Sequence, residues 1–488
     1  MFSPLRYVAL IAGAMTLSAC AEKYSIWTFE HLDVDRAFDR AIKLYDDIGK
    51  GNSGNCVVDG HAFRGLRESS ASSKNLKLLI VHGIGYHPQD YSKRLVLNLI
   101  HELGMKDKGE DTYKLNLKLK NEKSENGNDL PNQFRHGAPF LTIKNYRKAD
   151  KNKSDPGPSS LTIFEVTWSP IIEEERKALL YDNEVKFGLK RAFINDKIKR
   201  FLNDRAIDPL IYARKDNVGS LGSKILDSVE QSLCWMTRGD WSDYRLTKKD
   251  SDRCEWDGKT LAPEKRTAAD QVKTDEYAIV TFSLGSQIVI DALTEMAPRL
   301  SKEDKSKKPD LVKFYNELKR KSVAIYMLAN QLPVLRIGYI SKYKPITRSR
   351  GTYCNPNNTD KWLNELNIVA FSDPNDLLSY PIPENYSGQH IDSRFCSKLT
   401  NVVLNVAEET KYAAYLNWAN PIDAHSNYDA DARVIRLIGD GAKVAKSNKR
   451  LVLTRDIGLI SDEKKKEDFK KSGSVCTTDG FIKNQNYR

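Results

Sequence analysis

Short apolar runs recur along the chain, separated by longer segments in which apolar residues repeat with a helical period. The runs are nearly continuous rather than alternating with polar residues. Strands that are covered by helices on both faces need such continuous runs. The pattern therefore predicts an α/β fold with a doubly wound, mostly parallel sheet. The runs are LKLLIVHG (76–83), LTIFEVTW (161–168), YAIVTFS (277–283), SVAIYML (322–328), LNIVAFS (366–372) and VVLNVA (402–407).

Two long segments interrupt this alternation. Residues 105–160 are rich in Lys, Asn, Gly and Asp and predict a polar excursion, partly hairpin and partly loop. Residues 171–270 begin with a helical pattern and predict a large helical insertion. Insertions that follow strands of an α/β sheet lie at the edge where ligands bind, so this one is either a lid over a pocket or a packed accessory subdomain. The remaining predicted segments are 76–170 and 271–445 for the two parts of the core, and 446–488 for a C-terminal extension.

The first twenty residues contain a targeting signal. Residues 1–19 have one Arg near their start and the apolar stretch VALIAGAMTL, too short for a permanent membrane span. The tetrapeptide LSAC (17–20) resembles the lipobox of bacterial lipoproteins, a family in which the signal is cut before the cysteine and that cysteine carries acyl chains. This resemblance implies lipidation of Cys20 and a membrane-attached protein of the bacterial cell envelope; a plain secretory signal is the alternative. Residues 20–75 are expected to form a helix near the anchor and then a Gly- and Ser-rich linker.

Composition excludes some classes of function. A chain of 488 residues with 40% hydrophobic residues can bury a sizeable core. The net charge is +12, but the lysine clusters at 302–308 and 462–471 also contain acids and are typical of solvated faces. No zinc-finger or recognition-helix spacing occurs, so no nucleic-acid partner is predicted. Neither the composition nor the hydrophobic pattern of the sequence predicts an oligomeric state.

Seven cysteines are present, and six remain when Cys20 is set aside. An even number in an oxidising compartment permits three disulfides, with several connectivities open. None of these cysteines has the paired close spacing of a zinc site, so we predict structural bridges and no metal. The connectivity we expect is Cys234–Cys254, Cys354–Cys396 and Cys56–Cys476.

Polar residues follow several of the predicted strands, in the turns where α/β enzymes carry their chemistry. The first strand is followed by His82-Gly83-Ile84-Gly85, and the third by Ser283-Leu284-Gly285-Ser286. The run LNIVAF is followed by SDPNDL (372–377), and a late loop, ANPIDAHSNY, contains His425. The strand ends and this loop thus supply a glycine turn, a serine, an acid and a histidine, in that order.

This order resembles that of the α/β-hydrolase superfamily, and of lipases and esterases in particular, whose triad runs Ser, Asp or Glu, then His. The resemblance covers about 76–440, leaves the insertion without a counterpart, and implies an α/β-hydrolase fold. It implies that Ser283 is the nucleophile, Asp376 the acid and His425 the base. SDPNDLLSYPIP (372–383) is similar to the segment in which lipases place their acid, which favours Asp376.

The resemblance also implies an oxyanion hole built from two backbone N–H groups. Leu284, after the nucleophile, and Ile84, in the loop after the first strand, would donate them. Gly83 and Gly85 would let this loop approach the substrate, and His82 is expected to order it through hydrogen bonds. The motif departs from G-x-S-x-G at one position, because Thr281 replaces the first glycine.

Other residues compete for these roles. Asp373 could be the acid or a helix N-cap, Asp423 is a second substitute for the acid, and His390 is the competing base. The predicted function is that of a serine hydrolase that cleaves carboxylic esters, including acyl lipids or other apolar esters, without a metal or organic cofactor. An acyltransferase, thioesterase or peptidase would use the same residues, and a non-catalytic envelope scaffold would not use them.

Overall fold

The central sheet of this protein is built mainly from the apolar runs described above. A computed structural model describes residues 56–69, 75–106, 112–120, 138–148, 158–183, 191–217, 219–244, 253–256, 259–263, 265–302, 309–337, 345–348, 350–355, 358, 360–407, 409–413, 416–444, 451–453 and 476–477. The predicted signal peptide, lipidation site and anchor helix lie outside these residues. Within the described residues, no helix has both the length and the apolar character that a membrane span requires.

Eleven strands form the main sheet, ten of them in the order β16-β1-β11-β10-β9-β8-β3-β7-β6-β4, with β5 also paired to β6. Separate small sheets are formed by β12 with β13 and by β2, β14 and β15. The strands are β1 Cys56–Gly60, β2 Phe63–Arg64, β3 Asn75–Val81, β4 Met105–Lys106, β5 Tyr113–Asn116, β6 Phe140–Lys148, β7 Ser160–Thr167, β8 Asp275–Phe282, β9 Ser322–Leu328, β10 Glu365–Ser372, β11 Ser397–Leu404, β12 Glu409–Ala413, β13 Leu416–Ala419, β14 Gly441–Val444, β15 Leu451–Leu453 and β16 Cys476–Thr477.

The six central strands β11, β10, β9, β8, β3 and β7 are parallel to their neighbours, whereas β1 and β6 are antiparallel to the strands they flank. Each of the six predicted runs overlaps one of these central strands, so the prediction of a mostly parallel sheet is confirmed. Because the strands are parallel, their carboxyl ends and the turns that follow them lie at one edge of the sheet.

Helices cover both faces of the sheet. On one face, α6, α8, α9 and α10 pack on residues such as Ile279 and Ile325; on the other, α2 and α15 pack on residues such as Val280 and Tyr326. Successive strand residues point to opposite faces, which explains why the runs are continuous. The helices are α1 Leu66–Ser69, α2 Lys93–Glu102, α3 Glu173–Leu180, α4 Phe193–Phe201, α5 Ile207–Tyr212, α6 Leu221–Arg238, α7 Trp241–Tyr244, α8 Ala268–Thr274, α9 Gly285–Lys302, α10 Pro309–Leu318, α11 Leu332–Leu335, α12 Arg350–Tyr353, α13 Tyr386–His390, α14 Pro421–Ser426 and α15 Ala432–Asp440.

The structure has strands in two segments that contain no predicted apolar run, although one of them, 105–160, is expected to be partly hairpin and its β5 and β6 do pair antiparallel. Part of the predicted linker is β1, whose Cys56 and Val58 are fully buried, and part of the predicted polar excursion is β6, in which Leu141 and Ile143 are buried. In both strands, polar or partly exposed residues interrupt the apolar ones, so neither contains a continuous apolar run. Strands in which polar residues stand among the apolar ones give a weak sequence signal, because the apolar run is broken.

The described residues of the segment 171–270 are mostly helical, as predicted, and its helices pack against different parts of the protein. Helix α6 lies flat on the sheet, with Ile225 and Val229 completely buried, so it belongs to the core. Helices α3 and α5 instead contact the loop after β3. Thus α6 is a packed layer of the domain and not a lid.

Two of the three predicted disulfides are present, Cys234–Cys254 and Cys354–Cys396, with Cα–Cα distances of 6.0 and 5.3 Å. The first ties the end of α6 to the chain that leaves it. For the third, the backbone register sets Cys56 of β1 opposite Cys476 of β16, while the side chain of Cys476 lies outside the described residues.

Candidate active site

A tight turn joins β8 to α9 and carries Ser283. Only two residues separate the strand from the helix, and Ser283 has a φ of 51°, in the left-handed region where a non-glycine residue is strained. Its N–H donates to the carbonyl of Leu328 on β9 at 2.9 Å, and its own carbonyl accepts from the N–H of Ser286 at 3.1 Å. These bonds hold the strained conformation in place, as in the sharp turns that present a nucleophilic serine.

Small residues let the turn lie close to β3. A Cβ atom added at Gly285 would lie 2.7 Å from the carbonyl oxygen of Val81 and 2.8 Å from that of His82, closer than atoms can approach. Thr281, the departure from the expected glycine, is completely buried and its hydroxyl pairs with that of Ser286 at 2.8 Å. The threonine therefore fits because Ser286 supplies its hydrogen-bond partner on the helix side.

The loop after β10 and helix α14 bring Asp376 and His425 together. Nδ1 of His425 lies 2.9 Å from both carboxylate oxygens of Asp376. The N–H of Leu378 and the hydroxyl of Tyr428 also donate to this carboxylate, at 3.0 and 3.2 Å. Asp376 is almost fully buried while His425 is partly exposed, so the imidazole faces outward from a buried, hydrogen-bonded acid. Nδ1 carries the proton in this arrangement, which leaves the Nε2 lone pair available.

The competing residues have other partners. The carboxylate of Asp373 accepts from the N–H groups of Asn375, Val406 and Ala407, so it organises backbone, although burial raises its pKa. Asp423 is exposed on α14 and is not the partner of the His425 Nδ1. The ring of His390 packs on Tyr386 at 4.7 Å, and burial, then nearby Arg336, lowers its pKa.

The acid loop is attached next to the serine. Ser283 bonds to Leu328 at the end of β9, and two residues later Asn330 exchanges two hydrogen bonds with the backbone of Tyr380, in the loop that contains Asp376. Neighbouring strands are about 4.8 Å apart, so Ser283 lies about two strand spacings from the end of β10. The structure does not join all three residues, however: within the described residues the buried hydroxyl of Ser283 has no hydrogen-bond partner.

The glycine loop after β3 lies directly against the serine. A Cβ atom added at Gly83 would lie 2.7 Å from the Cβ of Ser283 and 3.3 Å from its Oγ. In the described part of the chain, neither the Ile84 N–H nor the Leu284 N–H donates a hydrogen bond. These are the two groups that the sequence suggests for an oxyanion hole, and both are available.

His82 orders this loop in its neutral form. The N–H groups of Trp168 and Ser169 donate to its Nε2, so its Nδ1 carries the proton and donates to the carbonyl of Gly83 at 2.8 Å. Its ring stacks on Trp168 at 4.3 Å. Burial, and then the neighbouring His87, lowers the pKa of His82 well below its ordinary value. A general base needs a free nitrogen, and both nitrogens of His82 are occupied.

Sequence reasoning missed the ion pair that fixes the far side of the loop. Asp208, at the start of α5, accepts from the Gly85 N–H at 2.7 Å, and Arg176 of α3 donates to the Gly85 carbonyl at 2.7 Å. The two side chains also bond to each other. A DP pair at the start of a helix (208–209) indicates a cap at most, so no sequence signal indicated this contact.

Two cavities among the described residues lie away from Ser283 and His425. One, of about 80 Å³, is apolar and is lined in part by Tyr277, Ile279 and Met296, under the amino-terminal half of β8. The other, of about 280 Å³, is polar and lies between α2 and β6, next to Glu165. Among the described side chains no group of three or more His, Cys, Asp or Glu could hold a metal ion.

Comparisons of this chain with family models, with curated proteins and with solved structures found no match. The arguments for a function therefore rest on the geometry of Ser283, Asp376, His425 and the loop at Gly83.

Proposed function

We propose that this protein is a serine hydrolase with an α/β-hydrolase fold that cleaves carboxylic esters through Ser283, His425 and Asp376. The observation that carries the proposal is the partly buried Asp376–His425 hydrogen bond at the sheet edge where the strained turn holds Ser283. The order of the three residues, and the glycine loop packed on Ser283, add support.

In the proposed reaction, Nε2 of His425 takes the proton of the Ser283 hydroxyl as the oxygen attacks the ester carbonyl. The tetrahedral intermediate then collapses: the bond between the carbonyl carbon and the ester oxygen breaks, the departing oxygen takes the proton back from His425 and leaves as an alcohol, and the acyl group remains on Ser283. His425 then takes a proton from water as the water oxygen attacks the acyl carbon; the bond between that carbon and the Ser283 oxygen breaks, His425 returns the proton to this oxygen, and the carboxylic acid is released. No other reactant is needed.

Asp376 would hold His425 in the required tautomer. Its two oxygens face Nδ1, so the Nδ1–H donates to the carboxylate and the imidazolium formed during attack is stabilised. The Tyr428 hydroxyl supports the same carboxylate. The proposed step also needs Nε2 to approach Ser283, and such hydrogen bonds are often long before substrate binds.

The negative charge that develops on the carbonyl oxygen would be stabilised by the N–H groups of Ile84 and Leu284. One such donor is worth about 10²–10³ in rate. Both N–H groups belong to turns in contact with Ser283 or next to it, and neither has another acceptor among the described residues.

We further propose that the substrate is an apolar ester or acyl lipid, encountered at a membrane to which lipidated Cys20 attaches the protein in the bacterial cell envelope. Two loops and helix α14, which carry or flank the site, expose large apolar side chains: Tyr86 is 61% exposed, Tyr380 41% and Ile422 62%. Exposed apolar groups around a site favour contact with an apolar partner.

A fluorophosphonate probe tests the enzyme. Wild-type protein should be labelled at Ser283, Ser283→Ala should not be labelled, and His425→Gln should react far more slowly. Ser372→Ala is a matched control, because this hydroxyl at the end of β10 is also buried and has no hydrogen-bond partner among the residues that the structure describes. Folded wild-type protein that resists the probe would contradict the proposal and favour a non-catalytic scaffold.

A series of p-nitrophenyl esters tests the substrate class. A rate that increases from acetyl to long acyl chains supports the apolar substrate, and activity confined to acetyl esters contradicts it. Attachment to the envelope is tested by whether Cys20→Ala releases the protein from the membrane fraction.

A further inference from the structure

The helical insertion holds the loop that carries one of the proposed oxyanion donors. Both partners of a buried ion pair in the insertion bind the backbone of Gly85: Asp208 accepts its N–H and Arg176 donates to its carbonyl, each at 2.7 Å. Arg176 also donates to the carbonyl of Ser169, just after β7, at 3.3 Å. The pair therefore joins the insertion, the loop and the sheet edge.

Burial of this pair is costly, which indicates a specific role. Asp208 is fully buried and Arg176 is 3% exposed. Two desolvated charges often stabilise a fold no better than apolar side chains of the same size would. The ion pair does fix the geometry of the loop. The Arg176 guanidinium bonds both carboxylate oxygens of Asp208, so the two side chains and the Gly85 backbone that they bind are held in fixed positions relative to one another.

The bonds determine which way two successive peptide groups point. The N–H of the peptide between Ile84 and Gly85 donates to Asp208, and its carbonyl accepts from Nε2 of His87 at 3.1 Å. The carbonyl of the preceding peptide, between Gly83 and Ile84, accepts from His82. The N–H and C=O of a trans peptide point in opposite directions, so the Ile84 N–H points away from His82.

Gly85 makes this orientation depend on the Asp208–Arg176 ion pair, which we call the clamp. Its φ is 99°, a conformation that a residue with a side chain rarely adopts, and glycine populates other conformations just as readily. Without the bonds to its N–H and carbonyl, the loop would keep the bonds from His82 and His87 but would lose the contacts that fix Gly85 in this conformation.

We propose that Asp208 and Arg176 are positioning residues of the hydrolase, which fix the Ile84 N–H as an oxyanion donor from within the insertion. The inference rests on the proposed function. If it holds, the insertion not only covers the sheet but also contributes to the rate of the chemical step.

The test compares a charge-free pair with a matched control pair. In Asp208→Leu/Arg176→Met both partners of the clamp become apolar, which leaves no buried charge unpaired. In the control, Asp227→Leu/Arg253→Met, a second ion pair of the insertion, joined at 2.6 Å, is replaced in the same way, and this pair bonds to Lys118 and Lys120 rather than to the glycine loop. Asp208→Asn, which is isosteric, provides a second variant if the double one does not fold.

We expect kcat for ester hydrolysis to fall about 10²-fold in the clamp variants, with KM nearly unchanged, because the oxyanion forms only in the transition state. The control pair should keep the wild-type kcat. A folded clamp variant with wild-type kcat, or one in which only KM changes, would overturn the inference while leaving the hydrolase intact. A wild type that neither reacts with the probe nor hydrolyses esters would overturn the proposed function and the inference with it.

Discussion

Replacing Gly83 by alanine tests how closely the glycine loop approaches the proposed nucleophile. The φ of Gly83 lies outside the left-handed region, so alanine can adopt the backbone conformation and only space is at issue. The new Cβ would lie 2.7 Å from the Cβ of Ser283 and 2.9 Å from the carbonyl oxygen of Phe282. Both are atoms of the strained turn and neither is the flexible end of a long side chain.

The size of the effect follows from these distances. Carbon atoms pack at about 3.5–4.0 Å, so the loop and Ser283 must separate by roughly 1 Å. A displacement of about 1 Å at a reacting group can cost about 10²-fold in rate. Overpacking of this kind also costs about 1–3 kcal/mol of folding free energy. We therefore expect Gly83→Ala to be folded, somewhat less stable and about 10²-fold slower.

The assay is the second-order rate constant for fluorophosphonate labelling, with urea unfolding measured on the same samples. Gly388→Ala is the matched control, because a Cβ added there, in α13, meets nothing within 4 Å. Alanine in a helix should stabilise that variant by about 0.5–1 kcal/mol and leave labelling unchanged. If folded Gly83→Ala reacts within about twofold of the wild-type rate, the loop does not lie where the reasoning requires it.

Three further predictions follow from the contacts around the turn. Asp376→Asn should lower kcat by about 10⁴-fold in an ester hydrolysis assay, because His425 loses the acceptor that fixes its tautomer; an unchanged kcat would exclude Asp376 as the acid. Thr281→Val should cost about 1–3 kcal/mol in urea unfolding by leaving the buried Ser286 hydroxyl unpaired, and Thr281→Val/Ser286→Ala should recover most of it. A double variant that loses as much as the sum of the singles would contradict this pairing. Burial lowers the pKa of His87 from 6.5 to about 4, so the unfolded chain binds its proton first and stability is lost as the pH falls from 6.5 towards 4. His87→Gln should lose less stability over that range, and identical pH profiles in urea unfolding would show that the histidine does not carry this dependence.

The parallel centre of the fold could be predicted because it is apolar on both faces. Runs such as SVAIYML (322–328) match their strands closely, since strands that are buried on both faces consist mainly of apolar residues. The strand FLTIKNYRK (140–148) could not be recognised in the same way. Its Lys144 faces partly towards solvent and pairs with Asp90, so the alternation resembles that of a polar hairpin.

The positions of the candidate site residues could be predicted where these residues lie in the turns that follow the strands. The contact between Asp376 and His425 agrees with the expected arrangement, and their catalytic role stays a prediction together with that of Ser283. The pairing of Thr281 with Ser286 could have been suspected, because both are small hydroxyl residues five positions apart across one turn. The bond between Arg176 and Asp208 joins residues 32 positions apart in different helices, and only tertiary packing selects that pair.

The position of β1 has a consequence for how the chain folds. Its register sets Cys56 opposite Leu404, and close by the Thr400 hydroxyl donates to the carbonyl of His61 across 339 positions of sequence. Contacts of such high contact order form late, because the loop they close is long. During synthesis, β1 is made long before β11, so it cannot pair until the rest of the sheet has been made. The partly folded chain therefore exposes an open sheet edge, the surface on which aggregation begins and to which a chaperone would bind.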